Sequence, residues 1–343
     1  MRGIIALGET ATLKIEKGAL VIRHRPTGEQ SAERRFDVDE PPPSAILFDG
    51  RGEWLSGEAL RWCARRNIAI VMPDGPGAML TFVRSAAEAK DGEALPDIGP
   101  AIVRAQCAAD PIEIAREIVR AKIVADAKGL GPRREKRCFD VLRYEAKLNA
   151  APSVAEIVMI EAKAANAYWR TWRDQGLIER KAGDLPRTWL RFAQRNKGAR
   201  FLGNKHASHP LNAALNYCIV VEAGRLARAL TAHGMILTIG YLHADRHGRN
   251  SLVWDCIEPL RAKIACRVFA YIASRTFSRR DFPPAGIDVR RIARPVVNEL
   301  LQTCLLPDRD IHHAAIWLRD LVLSHASPPR PKRGRPAKLP DRE

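Results

Sequence analysis

The chain has 343 residues, enough for two domains and a sizeable core, and carries 56 Lys and Arg against 39 Asp and Glu for a net charge of +17. Such an excess favours a polyanionic partner, either nucleic acid or an anionic membrane surface. No apolar run is long enough to cross a bilayer and the first residues lack a signal-peptide pattern, so no membrane is expected and nucleic acid is the better partner. The seven cysteines (63, 107, 138, 218, 256, 266 and 304) are odd in number and never at C-x-x-C spacing. That usage predicts reduced thiols, a cytoplasmic location and no structural zinc.

The first part reads as short strands over 3–7, 19–25, 45–48, 68–72 and 78–83, with P-D-G-P-G at 73–77 as a turn. A short helix between them is capped by Ser56 and is expected to turn Leu60, Cys63 and Ala64 inward. The stretch 86–100 is rich in Gly, Pro and charge, and the domain boundary is placed there. From Asp110 the pattern becomes helical. Asp110, Pro111 and Glu113 form a helix start, with the end expected near Gly129. A second helix is expected over 134–150, and Ser153 with Glu156 makes a capping box for a third that runs to about Gln175. Pro210 opens a long helix that stops before Gly234, and another starts near Ser251. The fold class is therefore α+β: a β-rich domain (1–95), a helical domain (100–325) and a disordered basic, proline-rich tail (327–343). Within the tail, K-R-G-R-P resembles the minor-groove AT-hook, although a solvated basic segment is the commoner meaning of so short a motif.

Four residues are the candidates to carry the chemistry: Glu161, His243, Asp255 and Glu258. Glu161 falls within an apolar stripe made by Ile157, Ala164, Ala165 and Tyr168, and a carboxylate there needs either a metal or a Lys or Arg partner. Asp255 and Glu258 share a helix face with Ser251 and Ala262, a face small and polar enough to admit solvent or phosphate. Pro259 removes a donor inside that helix and is expected to leave the Asp255 carbonyl unpaired. His243 closes the apolar segment G-M-I-L-T-I-G-Y-L-H, where a histidine is either a satisfied core residue or a ligand held by a partner on its other nitrogen. His247 lies four residues on, but Gly248 argues against the helix that H-x-x-x-H zinc binding needs. Two carboxylates and an imidazole suit a divalent metal that acts on phosphate.

In order and together, these stretches resemble the CRISPR-associated adaptation integrase family, a metal-dependent DNA endonuclease and integrase. The likeness is carried by H-P-L-N-A-A-L-N-Y (209–217), G-M-I-L-T-I-G-Y-L-H (234–243) and G-R-N-S-L-V-W-D-C-I-E-P-L-R (248–261). I-E-A-K-A-A-N-A-Y-W (160–169) is similar to the family's first acidic motif, and the residues from Trp54 to Gly75 fit its N-terminal pattern. The resemblance implies metal ligands at Glu161, His243 and Glu258, with Asp255 as a supporting catalytic acid, and Mg²⁺ or Mn²⁺ as cofactor. It also implies a homodimer, DNA as partner, and a small ferredoxin-like companion that bridges two dimers. Two departures stand out. The family usually has a proline after the arginine of the last motif and an aspartate soon after, whereas this chain has Ala262, Ala265 and Cys266 there.

On that reading, a DNA 3′-hydroxyl attacks a phosphodiester, as in spacer acquisition. The stretch 186–221 contains no acid and would hold the DNA through Arg187, Arg191, Arg195, Lys197, Arg200 and Lys205. Its Trp189 and Phe201 are expected in the core, and Arg261 beside the scissile phosphate. Two other functions fit the same residues: a transposon-type integrase acting outside CRISPR arrays, and a DNA-binding relative without activity.

Overall fold

Short apolar runs separated by turns build the first part from strands β1 (Ile4–Leu7), β2 (Thr10–Glu16), β3 (Ala19–Arg25), β4 (Ala32–Phe36), β5 (Ala45–Phe48), β6 (Gly52–Leu55), β7 (Ala69–Pro73) and β8 (Met79–Phe82). The computed structural model describes residues 4–7, 10–25, 31–40, 43, 45–48, 52–66, 68–73, 79–82, 99–131, 135–173, 189, 207, 209–245, 249–286 and 289–326. Two sheets form, in the orders β4-β3-β2-β6 and β1-β5-β7-β8. In the first, β2 and β3 make a hairpin across Lys17 and Gly18, both at positive φ, the conformation that matches strand twist in a two-residue turn. In the second, β1, β5 and β7 run parallel, and β8 returns antiparallel on β7.

Between β6 and β7 lies α1 (Gly57–Arg65), whose first turn is capped by the Ser56 hydroxyl at 3.1 Å from the Ala59 amide. The helix buries Ala59, Trp62 and Cys63, while Leu60 is 43% exposed, which corrects the expected face. The large Trp62 ring, packed with the two sheets, sets the rotation. Three strands were not foreseen. β2 alternates apolar and polar residues, whereas β4 is a mostly polar sequence and β6 only four residues long, and both take strand form by pairing, with β3 and β2 respectively.

The rest is mostly helical: α2 (Gly99–Ala108), α3 (Pro111–Leu130), α4 (Glu135–Leu142), α5 (Val154–Arg173), α6 (Pro210–Ala232), α7 (Ser251–Ile257), α8 (Arg261–Ser274), α9 (Arg294–Thr303) and α10 (Asp308–Ser324). A small hairpin, β9 (Pro284–Gly286) with β10 (Val289–Arg290), adds two unforeseen strands. The observed class is α+β as expected. α3 starts as read, with the Asp110 carboxylate accepting the Ile112 amide at 2.9 Å, and ends at Gly131 with φ 74°. The helix expected over 134–150 instead breaks after Leu142 and resumes as a 3-10 turn, Ala146–Ala150. Arg116 of α3 ties down the end of that turn, its guanidinium donating to the Leu148 carbonyl at 3.0 Å and the Ala151 carbonyl at 3.1 Å.

α6 is buried on nearly every side and forms the axis of this part. Its Val221 also meets the outer face of the second sheet, Ala45, Leu47, Ala69 and Val71, joining the two cores. A closed ion group fixes α6 to the start of α10. Arg225 donates to Glu222 at 2.6 Å, to the Leu306 carbonyl at 2.8 Å and to Asp308 at 2.6 Å. The other Glu222 oxygen accepts the Leu306 amide at 2.5 Å. Among the described residues, no helix is long and apolar enough to cross a membrane.

Candidate active site

The candidate residues come from four separate elements. α3 carries Ile114, Ile118, Lys122 and Asp126 at four-residue spacing, so a lysine and an acid fall in the stripe that faces the core. α5 supplies Glu161. The chain from α7 into α8 supplies Asp255, Glu258 and Arg261, and the irregular segment before α7 supplies His243.

Asp255 is fully buried and organises that segment. One carboxylate oxygen accepts the Tyr241 amide at 2.6 Å and the Leu242 amide at 3.1 Å. The other takes the His243 amide at 2.9 Å and faces His243 Nδ1 at 2.7 Å. If Nδ1–H is donated to Asp255, Nε2 is left as an acceptor, and it lies 3.9 Å from Glu258 Oε1. Gly240 is needed for this approach, since a Cβ there would stand 2.7 Å from Ser251 Cβ and 2.8 Å from the His243 carbonyl oxygen. From α2, the buried Gln106 side chain binds the Ile236 amide and the Ile236 and Ile239 carbonyls, at 2.8–3.1 Å. The Gln106 backbone carbonyl accepts the Tyr241 hydroxyl at 2.9 Å.

Two expectations change here. The face carrying Ser251, Asp255 and Ala262 is buried rather than open, and the Ser251 hydroxyl is spent on the Ala244 carbonyl at 3.1 Å. Nor is the Asp255 carbonyl left unpaired. Pro259 tightens the chain into a 3-10 turn over Glu258–Leu260, and the Glu258 amide reaches the Asp255 carbonyl. That turn aims Glu258 at α3.

Glu161 and Glu258 converge on one cation. The Lys122 ammonium pairs with Glu161 and lies 2.5 Å from Glu258 Oε2, while Arg261 holds Glu258 Oε1 at 2.8 Å. Burial alone would raise the Glu258 carboxyl, but Arg261 and Lys122 outweigh it and hold it down to about 2. Burial also works against the Lys122 charge, and the charges of Glu258 and Glu161 keep its pKa above the ordinary lysine value. One turn along α3, burial pushes the Asp126 carboxyl up to about 7.

The sequence left two fates open for Glu161, a metal or a basic partner, and in this structure a lysine fills the role. Among the described residues, no three His, Cys, Asp or Glu side chains are arranged to hold a metal ion as they stand, since an ammonium lies between the two acids. The donor set nevertheless suits one. Two carboxylates already share a single cation, and an oriented imidazole nitrogen lies beside them.

Lys122, Asp126 and Gln106 are site residues that the sequence reading missed. Arg187, Arg191, Arg195, Lys197, Arg200, Lys205, Phe201 and His247, with the residues from 327 onward, lie outside the described residues. Trp189 is in the core as expected, edge-on to Phe282 at 5.8 Å. The small residues that depart from the family pattern have a packing role. A Cβ on Gly129 would stand 3.2 Å from Ala262 Cβ and 3.4 Å from Cys266 Sγ, so bulkier groups would push α3 and α8 apart.

A family model described as CRISPR associated protein Cas1 matches residues 5–290. A CRISPR-associated endonuclease Cas1 of Korarchaeum cryptofilum is 29% identical over 180 residues, which is 47% of this chain and 49% of that protein. The matched region thus spans about half the length of the curated relatives first matched. Among solved structures, a casposase bound to integration product superposes with a TM-score of 0.74 at 21% identity, covering 93% of this chain and 91% of the other. A Cas1 protein from Thermotoga maritima gives 0.68 at 17% identity, covering 94% and 97%. With a family model matched from the first strand to the β9–β10 hairpin, this chain belongs to the Cas1 family.

Proposed function

We propose that this protein is a divalent-metal-dependent DNA endonuclease and integrase that joins DNA 3′-hydroxyl ends into target DNA, as in CRISPR spacer acquisition. The observation that carries the reading is the convergence of Glu161 and Glu258 on one cation, with His243 Nε2 3.9 Å from the other oxygen of Glu258. Glu161, His243 and Glu258 would hold the ion, Mg²⁺ or Mn²⁺. Bound there, the ion supplies charge stabilisation for the phosphoryl oxygens and the attacking or leaving oxygen.

The remaining work falls to the chain itself. Asp255 fixes the His243 ring and keeps its proton on Nδ1. Arg261 anchors Glu258, and its guanidinium brings positive charge to the edge of the site, where a phosphate would lie. Arg187, Arg191, Arg195, Lys197, Arg200 and Lys205 hold the DNA backbone by salt-dependent contacts. The protein acts as a homodimer formed through its β-rich domain, with a small ferredoxin-like companion joining two dimers.

The deciding assay is strand transfer of a 3′-hydroxyl duplex into supercoiled plasmid with Mn²⁺ or Mg²⁺. Glu161→Ala and Glu258→Ala are expected to lose all activity, and wild-type-like activity in both would sink the assignment. A second reading, a transposon-type integrase, is favoured by the likeness to a casposase bound to integration product. Sequencing the products separates the two, because insertion confined to CRISPR arrays supports adaptation and dispersed insertion supports the transposon type.

A further inference from the structure

Lys122 is 8% exposed and pairs with two acids from different elements, Glu161 of α5 and Glu258 of the 3-10 turn. Without it, two carboxylates would face each other in a site largely closed to water, where like charges repel strongly. The lysine therefore does for the metal-free protein what a divalent ion would do. The two cations cannot share the same oxygens, because their repulsion in so dry a place would cancel the gain.

Asp126 shows where the ammonium can go. It lies four residues past Lys122 on the same face of α3, so the two side chains are neighbours. It is 3% exposed, and among the described residues it makes no hydrogen bond or ion pair. A buried carboxylate is costly and is not kept for packing, and the opposite charge acting most strongly on this one is that of Lys122. A lysine carries its charge on a flexible four-carbon stem, so a change of rotamer can move the ammonium from the glutamates to this acid with the helix fixed.

We infer that Lys122 is a built-in counter-ion with two stations: it bridges Glu161 and Glu258 in the metal-free protein, and passes to Asp126 when a divalent cation takes the glutamates. The inference rests on the metal reading above and goes beyond it, making Lys122 and Asp126 positioning residues that set metal affinity without ligating. Removing the lysine removes a competitor, so metal should bind more tightly. Removing the acid strands the displaced ammonium, so metal should bind more weakly.

The test is calorimetric titration of Mn²⁺ into the metal-stripped full-length protein and three variants, Lys122→Met, Asp126→Asn and the double substitution. Lys122→Met is expected to tighten Mn²⁺ binding by about tenfold and Asp126→Asn to weaken it by about tenfold, within the usual range for coupled sites. The double variant should bind like Lys122→Met alone, because Asp126 acts only through the lysine. Should Lys122→Met fold only with Mn²⁺ present, that dependence is itself counter-ion behaviour, and weaker binding by Asp126→Asn completes the case. Unchanged or weaker binding by a folded Lys122→Met overturns the inference. So does an Asp126→Asn loss that persists in the Lys122→Met background, which would make Asp126 a ligand. A wild-type protein that binds neither Mn²⁺ nor Mg²⁺ removes the metal reading and this inference together, whereas a binding wild type with unresponsive variants removes this inference alone.

Discussion

Glu222, Arg225 and Asp308 form one ion group in the helical part, and Glu161, Lys122 and Glu258 form another. In the first, both Glu222 oxygens and the Arg225 guanidinium are engaged, partly by backbone groups of the turn into α10. In the second, a lysine stands between two acids, a third acid beside it feels the lysine's charge without a hydrogen bond among the described residues, and the His243 ring is 25% exposed. Arginine in the first matches a fixed, planar set of acceptors, whereas lysine in the second is a point charge on a movable stem. Saturation makes one group a clamp. Incompleteness leaves the other able to take the part proposed for it above.

The comparison breaks most visibly at Arg225. Arg225→Met leaves Glu222 at 0% exposure with no cation, and about 3–5 kcal/mol of stability should be lost in denaturant melts. A loss under about 1 kcal/mol would mean that the closed group is no clamp. A smaller effect comes from the helix start that positions α6. His209 Nδ1 accepts the Leu211 amide at 3.1 Å and its Nε2–H donates to the Trp189 carbonyl at 3.0 Å, so the neutral ring satisfies both bonds. Burial pushes its pKa down to about 4. An unfolded histidine titrates near 6.5, so the unfolded chain takes up the proton first as the pH falls. Stability from this group is therefore complete above about pH 6.5 and declines by about 3 kcal/mol in all as pH falls to about 4. Melts of wild type and His209→Gln across that range should differ in slope, and parallel curves would refute the assignment.

The third prediction concerns the open group. Gly240→Ala forces a Cβ within 2.7 Å of Ser251 Cβ and should cost about 1–3 kcal/mol. Strand transfer should fall further than stability, by about a hundredfold, because a shift of about 1 Å in His243 is enough to do so. Full activity in a Gly240→Ala protein would show that the segment tolerates displacement.

How much of this was legible depends on range. The caps at Ser56 and Asp110 and the stop before Gly234 are local signals, and they held. Glu161 was found because a charge interrupts an apolar stripe. Lys122 and Asp126 interrupt the stripe of α3 in the same way, so the same reasoning applied there would have found them. β2 was also readable from its alternation, T-A-T-L-K-I-E. Gln106 was not, because its partners lie 130 and 133 residues away and a glutamine carries no pattern that announces backbone acceptors. The Arg116 bonds that hold the following 3-10 turn were hidden for a similar reason, since they come from another helix.

Asp255 also bears on how loss of function would be interpreted. Its carboxylate stands in for a missing strand partner, receiving three successive amides of a segment without regular secondary structure. Removing it would delete a piece of local architecture as well as an acid, so an inactive Asp255 variant says little about chemistry by itself. Hydrogen exchange offers the separate account. The Tyr241, Leu242 and His243 amides should lose protection together in that variant, and a Glu161 variant should leave all three slow.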